Sequence, residues 1–112
     1  MPCRTLDSML ALYSAAIERA LLKLDLQGYE LTALHGATAT LAKTDVVLTE
    51  VSFYAQSYEL PISALVAFLA GHGFELYDVA SIFARPRDDR PRQGDFVFVR
   101  TSADLAEDKA WS

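Results

Sequence analysis

The hydrophobic period changes twice within about thirty residues of the first half of the chain, and this switch constrains the fold more than any other feature. Leu21 to Leu26 (Leu-Leu-Lys-Leu-Asp-Leu) is a short, nearly continuous apolar run bounded by Gly28, as expected of a strand covered on both faces. From Tyr29 the spacing becomes helical. Leu31, Leu34, Ala37 or Thr38, and Leu41 line one face, with Glu30 in the first turn at the positive end of the helix dipole. Asp45 to Val51 is rich in β-branched residues and reads as a second buried strand. Strand, helix, strand at this spacing is a βαβ unit with parallel strands.

The flanking segments extend this unit. Leu6, Met9, Leu10, Tyr13 and Ile17 form one helical stripe, predicting a helix from Thr5 to about Ile17 with Thr5 as its N-cap and Asp7 in its first turn. Pro61 suits the first turn of another helix, whose apolar face is Ile62, Leu65, Val66 and Leu69 and whose end is marked by Gly71 and Gly73. Phe74 to Val79 reads as a third strand and Phe96 to Arg100 as a fourth. The stretch between them holds Pro86, Pro91 and Arg85, Arg87, Arg90 and Arg92 without helical periodicity, so it reads as a long loop closing an antiparallel hairpin. The expected fold is α/β, in the order α-β-α-β-α-β-β, with two parallel crossovers and a C-terminal hairpin in a sheet of about four strands, and helices packing on the sheet. Residues 1–101 make up the expected domain. Residues 102–112 are expected to form a polar, frayed tail, short of apolar residues except Trp111.

Composition narrows the function. A chain of 112 residues, 52% apolar and 22% charged, has one domain's worth of core and is no disordered segment. A net charge of −5 argues against a nucleic-acid partner, because that affinity rests on lysines and arginines. The single Cys3 cannot form an internal bridge and fits a reducing compartment or indifference to redox. No run approaches the ~18–20 apolar residues that span a bilayer, and the first residues lack a signal-peptide layout. A soluble, cytoplasmic protein is expected.

In an open α/β sheet, ligands sit beyond the carboxyl ends of the parallel strands. Asp25 and Gln27 lie where the first strand ends, and Glu50 and Ser52 where its neighbour ends. The final strand runs backwards, so its beginning, with Gln93, Gly94 and Asp95, shares that rim. Three carboxylates, Asp25, Glu50 and Asp95, therefore converge on one edge.

Four segments carry a family resemblance: Leu21 to Ala37, Val46 to Phe53, Gly73 to Val79, and Gln93 to Arg100 (Gln-Gly-Asp-Phe-Val-Phe-Val-Arg). In this order and spacing they resemble the carboxyl-terminal half of FkbM-type methyltransferases, and Thr5-Leu6-Asp7-Ser8 resembles the segment just before that half. The resemblance covers residues 5 to 100. It implies a class I, Rossmann-like fold whose sheet ends in a reversed strand, S-adenosylmethionine as cofactor, and methylation of a hydroxyl on a small molecule or sugar. Such enzymes hold the cofactor mainly through a glycine-rich turn and an acidic residue in the first half of the fold. Nothing here resembles either, since the glycines at 28, 36, 71, 73 and 94 are scattered. The chain looks like half an enzyme, expected to be inactive alone, with its cofactor-binding residues unassigned.

Asp25 suits a general base or its orienter, since deprotonating an alcohol helps it attack a methyl group, and it equally suits a cap on the following helix. Glu50 suits a catalytic, substrate or metal contact, or a hydrogen bond beneath the adjoining loop. Gln27, Tyr29, Ser52 and Asp95 complete the expected acceptor site. Phe53, Tyr54 and Tyr58 suit either a substrate wall or core packing, and the four arginines either a solvated loop or a lid over an acidic group. Convergent carboxylates can hold a hard cation, but no metal-ligand spacing is present and none is expected. His35 and His72 read as structural. Glu30 reads as a helix-start residue.

Two other classes compete. One is a non-catalytic remnant or interaction module pairing with a second copy or a complementary half-domain through the unpaired side of the Leu21 to Leu26 strand. The other is a signalling receiver, which needs five alternating βα units and so fails on the strand count.

Overall fold

The computed structural model describes residues 5–10, 20–24, 30–54, 62–103, 106, 109 and 110. Their frame is a four-stranded mixed sheet of β1 (Ala20–Leu24), β2 (Thr44–Ser52), β3 (Phe74–Ala84) and β4 (Pro91–Arg100), in the order β1-β2-β4-β3. β1 and β2 are adjacent and parallel, and β4 is antiparallel to both its neighbours. This mixed α/β arrangement, with its reversed last strand, is consistent with a methyltransferase-like fold. β3 was expected to follow β2 across a second parallel crossover. It runs in the same sense as β2 but does not pair with it, because β4 inserts between them.

Strand pairing sorts the side chains into two faces. Val47, Thr49 and Val51 of β2 stand opposite Phe98, Phe96 and Gly94 of β4 on the buried face. Leu34, Leu41, Leu65 and Leu69 from the helices join that face in one apolar core with Leu24, Val47, Val51, Phe74, Phe96 and Phe98. The other face carries Val46, Leu48, Glu50 and Ser52 opposite Val99, Val97, Asp95 and Gln93.

Thr5 caps α1 (Leu6–Leu10), its Oγ1 accepting the Ser8 N–H at 3.0 Å. The rest of the expected first helix, residues 11–17, lies outside the described residues. The expected helix from Tyr29 to Leu41 is two helices, α2 (Glu30–His35) and α3 (Thr38–Leu41). The break has a tertiary cause. The Gly36 carbonyl accepts the Asp7 N–H at 3.0 Å, and Ala37 leaves helical geometry at φ −130°, ψ 22°. Gly36 is needed there because a Cβ would stand 3.0 Å from the Thr5 Cβ. Leu34, Ala37 and Leu41 still share the core-facing side.

α4 (Ile62–Gly71) buries Leu65 and Leu69. Val66, expected on the apolar face, is exposed. The helix stops at Gly73, whose φ of +85° suits glycine. Arg100 ties the sheet to the helices, donating from Nε to the Thr44 carbonyl at 3.0 Å and from its terminal nitrogen to the Leu41 carbonyl.

Two further expectations are corrected. β1 is not covered on both faces: Leu21 and Lys23 are exposed, and among the described residues the core lies only on the side of Leu22 and Leu24, where the helices pack. The expected loop after Val79 is mostly strand, since β3 runs on to Ala84 and β4 starts at Pro91. The reason lies in two bulges. Tyr77 and Ala80 are skipped in the pairing with β4, so Leu76, Val79 and Ile82 face one side while Glu75, Asp78 and Ser81 face the other. A strand with this period of three escapes a search for simple alternation. The tail also packs at points where fraying was expected, with Ala103 and Ala106 buried and the Lys109 ammonium on the Glu75 carboxylate.

Candidate functional site

β2 ends at the rim where β4 begins, so Glu50 stands directly opposite Asp95 and Ser52 opposite Gln93. Opposed residues in an antiparallel pair have Cβ atoms ~4.5–5.5 Å apart. Each carboxylate has a hydrogen-bond donor beside it. Gln93 Nε2 donates to Glu50 Oε1 at 3.1 Å, and Ser81 Oγ donates to Asp95 Oδ2 at 2.6 Å. The site thus occupies two cross-strand rows, Glu50–Asp95–Ser81 and Ser52–Gln93–Phe83, on the face opposite the helices. Among the expected site residues the structure brings together Glu50, Ser52 and Asp95. Asp25, Gln27 and Tyr29 lie outside the described residues. So does Tyr58.

Ser81 was not anticipated. It falls in a stretch that lacks alternation, and only the bulged pairing turns it toward Asp95. Gln93 is doubly engaged, since its Oε1 accepts from the Arg92 guanidinium at 3.3 Å while its Nε2 serves Glu50. A guanidinium, an amide and a carboxylate therefore form a chain along the rim.

The β3–β4 turn borders this rim. Arg85 makes a two-pronged pair with Asp88, at 2.6 and 2.7 Å, and Arg90 lies over the Tyr54 ring at 4.2 Å, with Arg85 at 5.5 Å. The Arg85 hydrogen bonds, with the Arg90 N–H adding to them, hold the Asp88 carboxyl down at about 2, and Asp88 in turn pushes the Arg85 guanidinium up. Tyr54 is thus a platform for arginines. Phe53 packs edge-on against Phe96, joining the core.

The remaining singled-out residues have structural partners. His35 and His72 flank Phe68, at ring separations of 4.6 and 4.3 Å, and His72 Nδ1 lies 2.9 Å from the Phe68 carbonyl. Glu30 is buried in the first turn of α2. Among the described residues no group of three or more His, Cys, Asp or Glu side chains is placed to hold a metal ion, and no helix is long and apolar enough to cross a membrane.

Comparison with known proteins bears on the family of the chain, through its first two-thirds. Residues 1–76 match the methyltransferase FkbM domain, a stretch running from the N-terminus into β3, with the Gln93 to Arg100 segment beyond it. No curated protein and no solved structure matches the chain. The match covers well over half of the sequence, and the chain belongs to the FkbM methyltransferase family.

Proposed function

We propose that this chain forms the acceptor-binding side of an S-adenosylmethionine-dependent O-methyltransferase acting on a hydroxyl of a small molecule or sugar. The observation that carries this reading is the opposed pair Glu50 and Asp95 at the rim, held by Gln93 and Ser81 on the sheet face away from the core. In this reading Glu50, together with Asp25 just beyond β1, takes the proton of the acceptor hydroxyl, which makes its oxygen a better nucleophile. Asp95 and Ser52, with Gln27 and Tyr29, orient the acceptor through hydrogen bonds.

Among the described residues none forms a glycine-rich turn for the cofactor itself. Gly36 joins two helices, Gly71 and Gly73 follow or end α4, and Gly94 lies within β4, so none of these stands in a strand-to-helix turn, and Gly28, between β1 and α2, lies outside the described residues. The roles above are confined to the acceptor for that reason, and the chain alone is proposed to be inactive. Titration calorimetry of S-adenosylmethionine into the chain should give little or no heat.

The test of the acceptor side is methyl transfer to a panel of sugars and small hydroxy compounds by a domain carrying these residues together with a cofactor-binding half. Glu50→Gln should lower turnover by about 10²-fold or more while leaving the melting temperature nearly unchanged. Unchanged turnover would remove Glu50 from the site. A second reading, a non-catalytic module that pairs with a complementary half-domain through β1, is favoured by the position of β1 at the sheet edge with Leu21 66% exposed. Full turnover in Glu50→Gln, combined with loss of that pairing in Leu21→Lys, would select it.

A further inference from the structure

The edge of the sheet opposite β1 is formed by β3, and it is both longer and more apolar. β3 has eleven residues against five in β1, a span of roughly 36 Å against 17 Å. It exposes Leu76, Tyr77, Val79, Ile82 and Phe83, and 52% of Ile82 and 57% of Phe83 are accessible. These side chains are about half exposed; Phe83 shares the face of Ser52 and Gln93, while Leu76, Val79 and Ile82 share the other, so the exposed apolar surface wraps the edge of the sheet. The bulges align Leu76, Val79 and Ile82 on the helix-bearing face, so the stripe continues the core outward past Phe98, Phe96 and Gly94.

From this surface we infer that β3 is the interface of a two-fold homodimer, in which the β3 strands of two copies lie antiparallel. The charge pattern identifies a second copy as the occupant. The strand is acidic toward its beginning, at Glu75 and Asp78, and runs into a turn that carries Arg85, Arg87 and Arg90 against Asp88 and Asp89, a net positive charge. Strands related by a two-fold axis run in opposite senses, so the acidic end of one copy lies along the basic end of the other. Glu75 already meets Lys109, Arg85 already meets Asp88 and Arg90 lies over Tyr54, so of the remaining exposed charges Asp78, Arg87 and Asp89 it is Asp78 and Arg87 that have opposite sign across the two-fold axis. An axis near Ile82 sets each Asp78 toward the partner's Arg87 and places the two apolar stripes side by side. The bulges at Tyr77 and Ala80 interrupt the outer hydrogen-bonding edge. Side-chain contact, rather than a long backbone ladder, therefore holds the pair.

Sedimentation velocity of the full chain over about 5 to 200 µM tests this. The wild type should shift from monomer to dimer, and Ile82→Glu should weaken the dimer at least about tenfold with the circular dichroism spectrum unchanged. Asp78→Arg and Arg87→Asp should each weaken it, while the double variant should recover it to within about twofold, because each reversed charge then faces its opposite again. The charge series reads the interface independently should Ile82→Glu fail to fold. A wild-type monomer throughout, a dimer indifferent to Ile82→Glu in a folded protein, or charge reversals that neither weaken nor rescue it would overturn the inference and leave the stripe to a different occupant.

Discussion

Asp7 and Thr40, thirty-three residues apart, are joined by two hydrogen bonds to one oxygen: the Thr40 N–H and hydroxyl both donate to Asp7 Oδ1, at 2.8 and 2.7 Å. The other oxygen accepts the Ala39 N–H at 2.9 Å, with the Thr38 hydroxyl at 3.4 Å. A residue in the first turn of α1 thus caps α3, whose own N-cap position is held by Ala37 and offers no side-chain acceptor.

Asp7→Ala should cost about 1–2 kcal/mol, the range for losing a helix cap, and Asp7→Asn less. Burial pushes the Asp7 carboxyl up, but the Ala39, Thr40 and Thr38 hydrogen bonds outweigh it and hold the group below its ordinary value. A depressed carboxyl stabilises the folded state above its unfolded pKa and ceases to do so as pH falls through its folded one. Urea midpoints should therefore converge for wild type and Asp7→Asn on acidification, and a difference undiminished at pH 2 would contradict this.

Replacing one member of the opposed carboxylate pair separates stability from function. Asp95→Asn removes a like-charge contact while keeping an acceptor for Ser81, so thermal stability should stay level or rise by up to about 1 kcal/mol. A loss above about 2 kcal/mol would mean that the Ser81 bond depends on the charge.

The β3–β4 turn should resist acid. With Asp88 held at about 2, the Arg85–Asp88 pair persists as pH falls to about 3 and is lost only as the carboxyl takes up its proton near 2. Carboxyl chemical shifts followed by pH titration should place Asp88 well below the ordinary carboxylate range, and a midpoint near 4 would show the pair to be loose.

Two glycines should respond in opposite ways to alanine. At Gly94 a Cβ would meet the Ser81 carbonyl at 2.7 Å, inside the β3–β4 pair, so Gly94→Ala should destabilise by about 1–3 kcal/mol. At Gly71, in the last turn of α4, nothing lies within 4 Å, and alanine should be neutral or stabilise by up to about 1 kcal/mol. Melting temperatures of the two variants decide the matter.

What the sequence determined by itself is local or directional. The switch from a strand run to helical spacing and back placed β1, α2 and β2, the Thr5 hydroxyl signalled the start of α1, and Leu34, Ala37 and Leu41 were recognisable as core. The meeting of Glu50 and Asp95 was also legible, because two parallel strands followed by a reversed one leave β2 ending where β4 begins. Tertiary structure decided the rest. The helix breaks at Gly36 because a backbone N–H from α1 takes its carbonyl, and no pattern within residues 29–41 records that partner. β4 inserts between β2 and β3, and the bulges at Tyr77 and Ala80 lengthen β3 and turn Ser81 toward Asp95. Strand neighbours and bulges are choices among hydrogen-bond partners far apart in the chain, and each is settled by which pairing buries Phe96, Phe98 and Val99 best. Side-chain periodicity reports which face of an element is apolar, and it carries no information on which other element will cover it.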